Sequence, residues 1–177
     1  MQYYFRLTLM LFLAGCASVP LGTMLKFSSF DKKDFIALEP HAIKAKLIVD
    51  EPVKIDIEKV DLTLDAETQQ QRRSYNFPLS LIEQVTVPAN AGWLYSNAAK
   101  TEYTFKLSTE STLNFKDLQG TLTTHEGWKF SFSINSGFEQ VPVEVDAINF
   151  SMLLKLRKNE NYTAILENAT LDIKREE

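Results

Sequence analysis

The sequence predicts a mainly β domain: an antiparallel, sandwich-like body of about eight short strands, with one inserted helix and a short N-terminal helix. Three observations predict it. Apolar residues alternate with polar ones over most of the chain beyond residue 42, the pattern of strands with one wet face. Turn-forming residues divide these runs into short pieces. Only two segments, near residues 28–38 and 108–122, space their apolar residues as helices do. The sandwich is preferred to a single curved sheet because the apolar strand faces outnumber what one helix can cover.

The first helix is read from Phe27, Phe30, Phe35 and Leu38, which lie near one helical face. Ser28 with Asp31 resembles a helix-starting cap, and Pro40 ends the run. Lys26, Lys32 and Lys33 would suit an amphipathic patch on a membrane or partner, but Asp31 and Asp34 offset their charge. A helix lying against the domain is therefore the plainer expectation.

From Ala42 the period changes to two. Ile43, Ala45, Leu47 and Val49 give one strand, Val53, Ile55 and Ile57 a second, and Val60, Leu62 and Leu64 a third, with Glu51-Pro52 as a turn. The polar run from Ala66 to Arg73 reads as a long loop, including the Gln69-Gln70-Gln71 stretch. Tyr75, Phe77, Leu79 and Leu81 follow in alternation, and Pro78 within them marks an edge or a bulge. After a loop around Gly92, Tyr103, Phe105 and Leu107 mark the next strand.

Ser108-Thr109-Glu110 opens the inserted helix, with Phe115, Leu118 and Leu122 on one face and Gly120 weakening it. Trp128, Phe130, Phe132 and Ile134 form a strand. A turn near Asn135-Ser136-Gly137 is expected to lead into another at Val141, Val143 and Val145. Ile148, Phe150, Met152, Leu154 and Leu156 make the longest alternation. Arg157 to Asn161 reads as a hairpin loop returning into Tyr162, Ala164 and Leu166, and Leu171 and Ile173 finish the chain.

Composition excludes several functions. The chain has 177 residues and a formal charge of −4, which argues against nucleic acid and against a polybasic grip on lipid. With 45% apolar and 24% charged residues it is globular. His41 and His125 are the only histidines; Lys129 stands where a zinc-protease helix after His125-Glu126 would need its second histidine. His41 reads as a solvated loop residue. No serine lies in a Gly-x-Ser-x-Gly elbow, and no glycine loop of the phosphate-binding type occurs. Asp61, Asp65 and Glu67 can pair in space as glycosidase carboxylates do, although solvated strand carboxylates are the commoner case. Trp93 and Tyr95 can stack on a sugar or peptide, or seal one end of the core. No catalytic residue, metal site or cofactor is expected.

The one residue with nameable chemistry is Cys16, the only cysteine in the chain. It ends Leu13-Ala14-Gly15-Cys16, after Arg6 and an apolar run from Leu7 to Leu13. A positive start, a short apolar middle and small residues at the cut form a signal segment. The run is too short and broken for a good permanent span, which needs roughly 20 apolar residues. Residues 1–16 resemble the signal sequence and lipobox of bacterial lipoproteins. The resemblance implies cleavage after Gly15 and acylation of Cys16 at its thiol and its new amino terminus. Because Ala17 is not an aspartate, it also implies retention at the outer membrane, facing the periplasm.

Three parts follow: a cleaved signal over 1–15, a lipid-anchored segment with a short helix over 16–40, and one β-rich domain over 41–177. Taking 15 residues from 177 leaves 162, and the loss of Arg6 moves the charge to −5. The resemblance implies a bacterial chain, in which the sequons at Asn149, Asn161 and Asn168 would be chance matches. The functional expectation is a non-enzymatic accessory protein that binds a protein partner in the envelope, attached to membrane through lipid on Cys16. The alternatives are a lipid or glycan binder with an apolar groove between sheet and helix, and an envelope hydrolase.

Overall fold

The computed structural model describes residues 30–91, 96–122, 127–139 and 141–173. The chain forms helix α1 (Lys32–Ile36), a single 3-10 turn (Pro40–Ala42), and strands β1 (Lys44–Asp50), β2 (Ile55–Glu67) and β3 (Arg72–Val87). Two-residue strands β4 (Asn90–Ala91) and β5 (Ser96–Asn97) precede β6 (Lys100–Leu107), helix α2 (Thr109–Leu122), β7 (Lys129–Phe138), β8 (Ala147–Lys155) and β9 (Thr163–Asp172). The fold is mainly β and antiparallel, with the inserted helix and the short N-terminal helix in the expected places.

The seven long strands are hydrogen-bonded in the order β7-β2-β3-β6-β1-β8-β9. Strand β3 belongs to two sheets. Its first half pairs with β2 as far as Asp61 opposite Pro78, and its second half pairs with β6 from Leu79 opposite Leu107. Pro78 stands at the change of partner because it has no N–H to give to a ladder. Its carbonyl accepts from the Ser108 amide and the Ser111 hydroxyl at the start of α2. Apolar faces therefore look at each other across a core as in a sandwich, but one strand joins the two halves into a continuous sheet. Corners made by strands that change sheets are a known solution.

The sheet nearly closes on itself. Phe138 of β7 meets Phe150 of β8 edge to face, with ring centroids 6.3 Å apart. Elsewhere on the seam, Phe30 packs edge-on against Phe132 at 5.5 Å, and the Arg157 guanidinium lies over its ring. Phe30, Phe35 and Leu38 are all buried in the core. The apolar face of α1 is thus used inside the domain, as the plainer expectation held.

Each helix is capped. Asp31 is the N-cap of α1, and its carboxylate accepts from the amides of Lys33 and Asp34 while Asp34 reaches back to the Asp31 amide. The cap is therefore Asp31 itself; Ser28 lies outside the described residues. Ser108 caps α2 through the amide of Ser111. Phe115, Leu118 and Leu122 are buried on the face expected for them. Phe115 touches Phe35 and Phe77, and Phe35 stacks on Phe130 at 4.5 Å. Gln119 adds a tie: its amide nitrogen donates to the carbonyls of Phe35 and Leu38 at 2.8 and 3.0 Å. Carbonyls at a helix end lack intrahelical partners, and this side chain supplies one.

Several local expectations are corrected. The second and third strands are one, β2, with an irregularity between Asp56 and Asp61 opposite β7. The long loop expected from Ala66 to Arg73 is a tight connection over 68–71, because Ala66 and Glu67 pair with Arg73 and Arg72 and extend the ladder. Asn135, Ser136 and Gly137 lie within β7 and make no turn. Val141, Val143 and Val145 form no strand; Val143 is 80% exposed. Val141 and Val145 instead pack against the core from an irregular segment.

Candidate functional site

Outward positions of β6, β1, β8 and β9 build a groove of about 530 Å³ on the convex face of the sheet. Alternation puts Ala45, Leu47 and Val49 of β1 in the core and turns Ile48 and Asp50 outward. Ser151 and Leu153 of β8 and Lys100 of β6 share that outer side. Strand β9 forms the far wall. Its register against β8 slips twice, between Phe150 and Met152 and again between Met152 and Leu153. Each bulge bends a strand and increases its twist. Asn168 takes a left-handed backbone at φ 48°, which asparagine tolerates better than most residues.

The groove is lined by apolar residues such as Ile48, Leu153 and Ala164 together with polar ones. Asn149 Nδ2 donates to Asp50 Oδ2 at 3.3 Å, and Thr170 Oγ1 donates to Asn149 Oδ1 at 2.8 Å. The Asn168 amide donates to Ser151 Oγ at 2.9 Å. Lys100 sits directly opposite Asp50, and Glu167 closes the β9 side.

A second polar cluster lies on the core side at the end of β1. Thr101 donates to Glu51, and its hydroxyl lies 3.2 Å from that of Thr86. The neighbouring Tyr103 is buried, and loss of solvent pushes its phenol above the ordinary value; a backbone hydrogen bond at Ile55 acts in the opposite direction.

The residues singled out in the sequence are not brought together. Cys16, Trp93, Tyr95 and His125 lie outside the described residues. His41 is exposed on the 3-10 turn, 3.3 Å from the Glu39 carboxylate. Asp61 and Asp65 point outward from β2, each held by neighbours. Asp61 accepts from Asn135 Nδ2 at 2.9 Å, and Asp65 accepts from Ser74 and from Arg72 at 3.0 Å. The Ser74 hydroxyl, followed by Arg72, holds the Asp65 carboxyl below its usual range. These are ladder contacts on a surface and not a carboxylate pair across a cleft. Among the described residues no group of three metal-ligating side chains occurs, and no helix is long and apolar enough to cross a membrane.

The groove escaped sequence reasoning because it depends on strand order and on the slips of β9. The one available signal was the weak alternation after Ala164, where β9 departs from period two. Comparison with protein families, with curated proteins and with solved structures finds no match to this chain.

Proposed function

We propose that this chain is a non-enzymatic lipoprotein of the bacterial outer membrane, tethered through Cys16 and facing the periplasm, whose β domain binds a protein of the envelope. The anchor rests on the order Leu13-Ala14-Gly15-Cys16. The binding role rests on one structural observation: the groove over β1, β8 and β9, with its mixed apolar and polar lining. The catalytic alternative loses support because Asp61 and Asp65 are engaged by structural neighbours. The apolar groove once expected between sheet and helix has little room, since Phe35, Phe77, Phe115 and Phe130 fill that contact.

Site-specific photocrosslinking in living cells tests the reading. A photoreactive residue at Ile48 or Leu153 is expected to trap one envelope protein that the same group at Glu58, on β2, does not trap. Identical products from the two sites reject the groove as the binding surface. For the tether, Cys16→Ser is expected to leave the precursor uncut or release the domain from membranes. Unchanged processing and retention reject the lipidation.

A further inference from the structure

We infer that the outer face of the sheet carries a second surface, a row of three lysines that docks on the phosphate headgroups of the anionic bilayer holding the anchor. The registers place Lys106 of β6 directly opposite Lys44 of β1, and Lys44 directly opposite Lys155 of β8. Their inward neighbours Phe105, Ala45 and Leu154 are buried, so all three lysines face outward together. Ser80 of β3 extends the same row. Directly opposed ladder residues stand about 4.5–5.5 Å apart at Cβ, and like charges at that spacing are destabilising. None of the three has an acidic partner among the described residues. Other cations nearby are neutralised: Lys46 by Glu102 at 2.9 Å, with Glu83 also near it, and Arg157 by Asp34 and Glu160 at 2.8 Å each. The three lysines thus stand in one line across three adjacent strands.

Position selects the occupant. The row lies at the end of the sheet where the N-terminal segment joins it. Lys44 follows the 3-10 turn, and Arg157, two residues beyond Lys155, binds Asp34 of α1 and covers Phe30. Thirteen residues lie between Cys16 and Phe30, a covalent reach of at most about 50 Å when fully extended. The tether leaves from this end of the sheet, which favours the approach of this end to the headgroups over that of the opposite end. Lysines near an anionic surface gain attraction that decays within a Debye length, so a short row suffices only at close range. The acidic total of the chain argues against a grip on any polyanion by the molecule as a whole, so the docking is confined to this row and depends on the tether.

This inference rests on the tethered reading, so its test separates the two. The processed protein, purified from membranes, is reconstituted in phosphatidylcholine bilayers with or without phosphatidylglycerol. It is then treated briefly with an amine-acylating reagent. Lys44, Lys106 and Lys155 are expected to react at least about threefold more slowly when phosphatidylglycerol is present. The protection is expected to disappear at about 0.5 M salt, while Lys54 and Lys129 keep one rate throughout. Equal rates at the row in both bilayers overturn the docking. Protection of the same size by inorganic phosphate in neutral bilayers also overturns it, by making the row a site for free phosphate. The mass of the N-terminal peptide reads Cys16 acylation separately, and an unacylated product is tested by sedimentation with the same vesicles. The triple variant K44Q/K106Q/K155Q is expected to lose the protection and keep or raise its Tm. A lowered Tm assigns the lysines to the fold and overturns the proposal.

Discussion

The two faces of strand β1 solve opposite problems. Inward, Ala45, Leu47 and Val49 are at most 1% exposed and join a core of interlocking aromatic rings. Outward, the same strand carries Lys44 between two other lysines, a paired Lys46, and Ile48 and Asp50 in a groove. The inner face is what stability demands. The outer one contains opposed charges and half-covered apolar groups that folding alone does not require. Surface features with a cost and no structural return are where function is expected.

Substitutions on the two faces break or sharpen that contrast. The largest effect is expected at Phe115→Ala, which empties the contact among Phe35, Phe77 and the helix. It should cost about 3–5 kcal/mol in urea unfolding. Gln119→Leu should cost about 1–3 kcal/mol by removing the side-chain donor from the Leu38 carbonyl and leaving the Phe35 carbonyl with the Leu38 amide alone. Its effect should exceed that of Leu113→Ala on the exposed side of α2.

Tyr103→Phe probes the core-side polar cluster through pH. Burial raises the folded phenol above its unfolded value near 10, so the unfolded chain ionises first and stability falls as pH rises past about 10. The variant lacks this proton and should show a flatter alkaline limb in thermal melts; an unchanged limb contradicts the assignment. On the outer face the expected changes are smaller. Asn168→Ala should cost about 1 kcal/mol because of its left-handed backbone, whereas Asn168→Gly should be near neutral. Lys44→Gln should be neutral or stabilising by a few tenths of a kcal/mol. A clear loss at Lys44 would place the lysine row with the core rather than with function.

Much of this contrast was legible in residue order, unevenly. β1 announced its faces because it keeps a strict period of two against two neighbours, and β8 keeps it against β1. α2 announced its face through Phe115, Leu118 and Leu122, whereas Pro78, expected at an edge or a bulge, sits inside a strand where the pairing partner changes. The valines at 141, 143 and 145 misled, since Val141 and Val145 reach the core from an irregular segment rather than from a strand. Residues 65–67 and 72–74 hid because a polar hairpin end looks like a loop. The candidate surfaces were less legible still. Lys44, Lys106 and Lys155 are each an ordinary polar residue at a strand end, and only the order β6-β1-β8 aligns them. Asp50, Asn149 and Asn168 meet only after β9 slips its register, a long-range outcome that local pattern does not encode.

The passage of β3 through both halves gives the molecule a spine. Neither half can detach while that strand remains paired, so local opening of one is resisted by the other. Amide hydrogens on both sides of Pro78 should accordingly be among the last to exchange with deuterium, with matched rates on the two flanks. A tethered protein built this way would meet a pull on its N-terminal side as a single cooperative body, yielding all at once instead of peeling strand by strand.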